Sequence, residues 1–344
     1  MLRAEDISEA VKTGVITQDQ ARALEGIAAA RHKARVFAVG REERFRLMGG
    51  FNDFFIAIGV GLLGIALGSW PIVGLVAMWG LAEYLTGKLK LVAPSILIVA
   101  ILAISAAVSV GRLQLGPSAA FAAALAVVGL HYWRFRLPFS LFVLALTGVG
   151  LILSLVSAVA TGPMGIGEAN VGSLMRMAAL LLGIGVFAWA MSFDMSDPER
   201  LTLRADCGFW LHLIAAPLIV HSLAGPLMSH PLWPGMRATG AAEVTGSAVA
   251  VVVLLIVALS VIALIVDRRA LLVAGLGYLG SALAYTLSKL AGATPSYYLL
   301  PTLLFLGVLI IVLGVGWRHI RSVLMSALSG GSWKSSLPPY EKIA

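Results

Sequence analysis

Apolar residues in this chain run in long stretches, and polar residues gather between them. Ten such stretches follow one another, at 51–69, 71–86, 91–110, 117–133, 138–159, 173–192, 208–225, 247–266, 270–290 and 297–316. About 20 apolar residues in a helix span a hydrocarbon core of about 30 Å. Each stretch therefore predicts a transmembrane helix, 71–86 being the least secure because it is the shortest.

Residues 1–47 follow a different pattern. Ile7, Ala10 and Val11 recur at helical spacing, and Gly14 stands where a helix stops. Thr17 and Gln20 have capping-box spacing, opening a second helix through Ala21, Leu24 and Ala28. Beyond the last stretch, Arg318 to Leu328 predicts a short amphipathic helix at the membrane surface. The tail from Ser329, rich in Gly, Ser and Pro, predicts no order. The pattern reads as an all-α integral membrane protein in three parts. A cytoplasmic helical segment covers 1–47, a transmembrane bundle 48–316, and an interfacial helix with a flexible tail 317–344.

Composition narrows the class. The 344 residues are 59% hydrophobic and only 12% charged, with a mean hydropathy of +0.94. A soluble domain carries about 25% charged residues, so a soluble enzyme and a secreted disulfide scaffold are poor readings. The lone Cys207 permits neither an internal disulfide nor a thiolate metal cluster.

Charge sets the orientation. The net +8 has no basic stripe interleaved with aromatics, so no nucleic-acid partner is expected. With the N-terminus inside, ten basic residues fall on the cytoplasmic side: Lys88, Lys90, Arg134, Arg136, Arg200, Arg204, Arg268, Arg269, Arg318 and Arg321. Only four, Arg112, Arg176, Arg237 and Lys289, fall outside. Positive charge concentrates in cytoplasmic loops, so both termini are predicted to be cytoplasmic. Trp70, Tyr132, Trp133 and Trp317 fall at predicted span ends, where amphipathic rings anchor in the headgroup layer.

Two matches to GxGxxG, at Gly59, Gly61, Gly64 and at Gly275, Gly277, Gly280, lie inside apolar helices. A dinucleotide site needs a preceding strand, so these glycines read as close helix packing. No cofactor and no metal are expected. Ionisable groups at membrane depth are the functional candidates, because each costs about 2.5–3.5 kcal/mol at a helix centre for Arg, Lys or Asp. Asp53 opens the first stretch, and Glu83 lies near the inner end of the second. In the seventh, His212 and His221 flank Pro217, with a kink or break expected at the proline. Nine residues apart, the two imidazoles point to opposite faces. The choice between them is His212, at a similar depth to Asp206, Glu83 and His131. Each histidine has two open readings, a polar path or a hydrogen bond to a neighbouring helix. Arg176 opens the sixth stretch at the positive end of the helix dipole, which calls for an acid such as Glu168 or an anionic ligand, unless it is a solvated loop residue.

The pattern ISEAVKTGVITQDQARAL, Ile7 to Leu24, feeding a polytopic apolar body, resembles a family of bacterial membrane proteins catalogued as domain of unknown function 2157. That resemblance implies a bacterial inner-membrane protein and brings no catalytic residues. By architecture alone, ten spans with both ends inside are similar to the drug/metabolite transporters. The halves 51–159 and 173–316 would have opposite orientation, as inverted repeats require.

Two function classes follow. One is a transporter or permease of a small solute or amphiphile, with His212 or His221 carrying protons. The other is a non-transporting anchor, sensory or accessory protein whose N-terminal helices bind a partner. An enzyme is the weaker reading, since neither a Ser/His/Asp spacing nor a metal motif is present. The topology has a direct check. Reporter fusions after Gly167 and after Pro198 are expected to report the outer and the cytoplasmic side respectively. The reverse pattern overturns the orientation, and equal signals remove the sixth span.

Overall fold

A computed structural model of the chain describes residues 10–23, 26, 51–224, 246–291, 299–328 and 337–339. Ile7, Leu24, Ala28, Arg237 and the tail at 329–336 and 340–344 lie outside the described residues. The chain divides into two compact units, Met1–Arg44 with Leu201–Leu203, and Phe45–Arg200 with Arg204–Ala344.

In the first unit the local signals read from sequence are realised. Gly14 takes φ +72°, a conformation that costs glycine nothing because it has no Cβ. Around it the Val15 N–H donates to the Ala10 carbonyl at 2.9 Å and the Gly14 N–H to that of Val11 at 3.1 Å. These two bonds make a Schellman stop. The capping box then closes. The Thr17 N–H donates to Gln20 Oε1 at 2.9 Å, and the Gln20 N–H to Thr17 Oγ1 at 3.3 Å.

The second unit holds ten α-helices among its described residues: α1 Phe51–Leu67, α2 Pro71–Leu81, α3 Val92–Gly111, α4 Pro117–Phe135, α5 Pro138–Thr161, α6 Glu168–Ser196, α7 Leu203–Ala224, α8 Gly246–Val266, α9 Ala270–Ala291 and α10 Leu299–Ala327. One lies on each predicted stretch, and no strand occurs among the described residues. Six of them, α3, α5, α6, α7, α8 and α10, are long and apolar enough to cross a membrane. The chain is thus an all-α protein built from membrane-type helices. Prolines open α2, α4 and α5 at a position where the missing N–H costs nothing.

Four details differ from expectation. The second stretch does not stay α-helical: after Leu81 it continues as a π-helix, Ala82–Lys88. α6 starts at Glu168, five residues before the predicted 173, so Arg176 sits in the helix interior rather than at its positive end. The dipole argument for Arg176 therefore lapses. α10 runs unbroken past Trp317 to Ala327, so Arg318–Leu328 is no separate interfacial helix. Its buried stripe of Trp317, Arg321, Ser322 and Met325 packs on the bundle. Trp317 is accordingly only 3% exposed, whereas Trp70 and Trp133, at 66% and 68%, keep the position of surface anchors.

Two helices organise the packing. α3 lies against α1, α2, α4 and α5. α7 plays that part in the second half. Cys207, Leu211 and Ile214 cluster with Leu141 and Ala145 of α5 and Ala190 of α6. Ala216 meets Ala263 and Leu264 of α8, Leu271 of α9 and Trp317 of α10. Val220 and Ala224 pack with Val252, Ile256 and Ala282.

α6 approaches α7 through Gly183, where an added Cβ would lie 3.0 Å from Leu218 Cβ and 3.2 Å from the Ile219 backbone N. Backbone cannot yield as a side-chain tip can, so Gly183→Ala is expected to destabilise the bundle by about 1–3 kcal/mol. Gly185 has no atom within 4 Å of an added Cβ. Gly185→Ala is therefore expected to leave stability unchanged or raise it by up to about 1 kcal/mol, through helix propensity. Thermal unfolding of both variants in detergent checks the contrast.

Candidate functional site

Among the described residues, a buried concentration of charge lies where α6, α7 and the α8–α9 turn meet. α6 runs on past Ser192 and ends at Ser196, because Pro198 forces the preceding Asp197 out of helical geometry (φ −143°, ψ 65°). This carries Asp194 into the last helical turn, where it is 2% exposed. Two partners close on its carboxylate. Arg268 Nε donates to Oδ1 and Oδ2, each at 3.1 Å, and Arg268 Nη2 donates to Oδ1. His212 Nε2 donates to Oδ2 at 2.9 Å. Arg268 is 6% exposed and His212 0%. Arg268 Nη2 also donates to the Ala205 carbonyl at 2.8 Å, tying the α8–α9 turn to α7.

Gly208 makes this approach possible. A Cβ there would stand 2.6 Å from Asp194 Oδ1 and 3.3 Å from Arg268 Nη2. Any other residue would push the carboxylate off its cation. The imidazole of His212 is held edge-on to Phe187, ring centroids 5.1 Å apart. Its second nitrogen, Nδ1, is buried with no hydrogen-bond partner among the described residues.

A second layer positions Arg268. Arg200 (φ +55°) and Asp267 (φ +59°) both adopt the left-handed conformation that few non-glycine residues take. They hold each other there. Arg200 Nη1 pairs with Asp267 Oδ2 at 3.0 Å, and Arg200 Nη2 donates to the Asp267 carbonyl at 2.7 Å and the Val266 carbonyl at 3.2 Å. Trp317 Nε1 donates to Asp267 Oδ1 at 2.6 Å. Burial, with Arg268 adding to it, pulls Arg200 below the usual arginine pKa, and Asp267 and Asp194 oppose that pull. Arg321 donates from Nε to the Leu264 carbonyl at 3.0 Å, and from Nη2 and Nη1 to the carbonyls of Pro338 at 2.7 Å and Pro339 at 3.0 Å.

The residues singled out from sequence fall in different places. His212 belongs to the cluster. His221 is exposed and hydrogen-bonded to the Tyr278 hydroxyl of α9, so the two imidazoles do serve different neighbours. Pro217 lies inside α7, which continues through it as helix, and its ring is on the exposed side. Arg176 is exposed. Asp53 is buried in the first turn of α1, where a carboxylate complements the helix dipole. Glu83, in the π-helical stretch, pairs with Arg134 at 2.8 Å with both side chains about half-exposed. His131 bonds Ser140 Oγ at 3.0 Å and packs against Trp79 and Phe135. Glu83 and His131 thus have partners of their own, away from the Asp194 cluster.

Asp194, Arg268, Asp267 and Arg321 are absent from the candidates read from sequence. Their signals are local. Asp194 stands two residues beyond the predicted end at 192, and the helix has no reason to stop before Pro198. Asp267, Arg268 and Arg269 join two apolar helices with no further linker, too short a connection to lift all three charges clear.

The fold and this cluster define an all-α bundle of apolar, membrane-type helices with a buried ionic centre. No protein-family model, curated protein or solved structure matches the chain.

Breaking a buried pair from one side leaves a charge uncompensated, at a cost of about 3–5 kcal/mol. Asp194→Asn and Arg268→Gln are each expected to destabilise by about that much, and the double variant by clearly less than their sum. Unfolding of the four proteins in detergent micelles measures this coupling. Additive costs would show that the two side chains act independently.

Proposed function

We propose that the protein is a transporter or permease of a small solute or amphiphile. In this reading all ten helices cross a bacterial inner membrane, both termini are cytoplasmic, and the path runs beside α7. One observation carries it: an aspartate, an arginine and a histidine from three segments meet inside an apolar bundle. Charge buried in an apolar bundle is costly, and its retention at the cytoplasmic ends of α6 and α8 supports a solute or ion pathway there. Of the sequence candidates, His212 stays central. Pro217 and Arg176 are exposed and lie outside the cluster.

The alternative is a non-transporting anchor whose N-terminal helices bind a partner protein. The capped helix of the separate first unit favours it, since such a unit needs no membrane to form its local bonds.

Uptake separates the two. Proteoliposomes holding the full chain are assayed with radiolabelled amino acids, sugars and nucleosides, and with ethidium. One class is expected to accumulate above empty vesicles, and to fail to do so with Asp194→Asn at equal protein insertion. Full uptake by that variant removes the cluster from the path. No uptake of any class by the wild type leaves the anchor reading.

A further inference from the structure

We propose that Arg321 and the surface around it form a peptide-docking site whose resident occupant is the chain's own Leu337–Pro339 segment. The inference stands apart from the transport reading, because it concerns the tail and needs no solute path.

The guanidinium of Arg321 divides its donors between the bundle and the tail. Nε donates to the Leu264 carbonyl at 3.0 Å. Leu264 lies in the last turn of α8, where carbonyls lack partners within the helix, so this bond caps the helix. Nη2 and Nη1 donate instead to the carbonyls of Pro338 at 2.7 Å and Pro339 at 3.0 Å. Those acceptors stand 17 and 18 residues further along the chain, past the end of α10. The tail, for which the sequence pattern predicts no order, is seated here. Leu337 is 8% exposed and Pro338 is buried, and the chain returns to the surface at Pro339.

The buried cation explains why the seat needs an occupant. Arg321 is 5% exposed, and a guanidinium keeps its charge inside a protein. Asp267 Oδ1, 3.8 Å from Nε, is beyond hydrogen-bond distance and already accepts from Trp317. Asp267 Oδ2 is paired with Arg200. The two tail carbonyls therefore take donors that Asp267 does not. With the tail gone, Nη1 and Nη2 would lose these acceptors, and a charged donor left unpaired costs more than a neutral one.

The same bonds define the ligand chemistry. The seat takes an apolar side chain followed by two adjacent carbonyls. A proline pair suits it because neither residue brings a backbone N–H that burial would leave unpaired. Attachment makes the chain's own segment the occupant. A short connection to α10 holds it at an effective concentration in the mM range, which a separate partner rarely reaches.

A chain ending at Leu328 and the full-length chain are each placed in lipid nanodiscs at one copy per disc. A fluorescein-labelled peptide of residues 332–344 is titrated into both, and binding is read by polarisation. The shortened chain is expected to bind it saturably, and the full-length chain about tenfold or more weakly, because its seat is filled. Arg321→Gln in the shortened chain is expected to weaken binding as much. A peptide with glycine at both Pro338 and Pro339 keeps the carbonyls but has more freedom to lose, and is expected to bind about tenfold more weakly. Absence of binding to a folded shortened chain overturns the site. So does equal binding to both chain lengths, or undiminished binding with Arg321→Gln or with the glycine peptide.

If the shortened chain does not fold, trypsin cleavage after Lys334 of the full-length protein decides, followed by intact mass. The protease must take up residues beyond the cut, so a seated Leu337–Pro339 slows it. Each rate is divided by that of a free peptide of the same sequence. The wild type is expected to be cut about tenfold more slowly, on this scale, than the full-length Pro338→Gly, Pro339→Gly variant. Equal ratios overturn the site. Protection that returns only with two copies per disc overturns the assignment to the chain's own tail and gives the seat to that of a second copy.

Discussion

A carboxylate keeps its charge inside an apolar bundle only if cations and donors replace the water it has lost. The second half of this chain is arranged round that requirement at Asp194. Desolvation costs several kcal/mol per ion, and the compensation is assembled from three separate stretches. α6 must run to Ser196 to carry the aspartate inward, α7 must offer Gly208 and His212, and the α8–α9 turn must deliver Arg268. That turn depends in its place on Arg200 and Trp317, which hold Asp267 in a backbone conformation it would otherwise leave. The order of dependence runs from one oxygen pair outward to five helices, α6 to α10.

The first half solves its polar problems more cheaply. Thr86 donates to Ser95 Oγ at 2.7 Å between the π-helical stretch and α3. Thr147 folds back on the Val143 carbonyl at 2.8 Å. One ion pair of that half, Glu83–Arg134, is half in solvent, where such pairs are worth about 0–1 kcal/mol. The two five-helix halves therefore differ in electrostatic character. If they are inverted repeats by architecture, they do not share a chemistry.

Sequence reasoning reads helices well here because each is an apolar stretch bounded by Pro, Gly or charge. All ten predicted stretches carry a helix, and the Thr17–Gln20 cap formed as its spacing implies. Hydropathy misjudges the ends. It closes the sixth stretch at 192 because Asp194 lowers the average, although a buried aspartate needs a helix to hold it. It also treats arginine as a marker of loops. Arg268 and Arg321 are 6% and 5% exposed, because their partners come from residues far along the chain that no local window contains. Trp317 misleads for the same reason: an indole N–H seeks an acceptor, and Asp267 supplies one within the protein. The π-helix after Leu81 has no counterpart in the apolar pattern, which does not distinguish one helical ladder from another.

Arg321 grips the segment at Pro338 and Pro339 through their main-chain carbonyls. Those oxygens are the one polar group a proline keeps, and its ring holds φ near −65°. The guanidinium is thus reading backbone shape and not side-chain identity. A docking contact of that kind is blind to much of the composition of the tail. It asks that two successive carbonyls be presented stiffly, and it lets the surrounding sequence drift as long as the prolines remain.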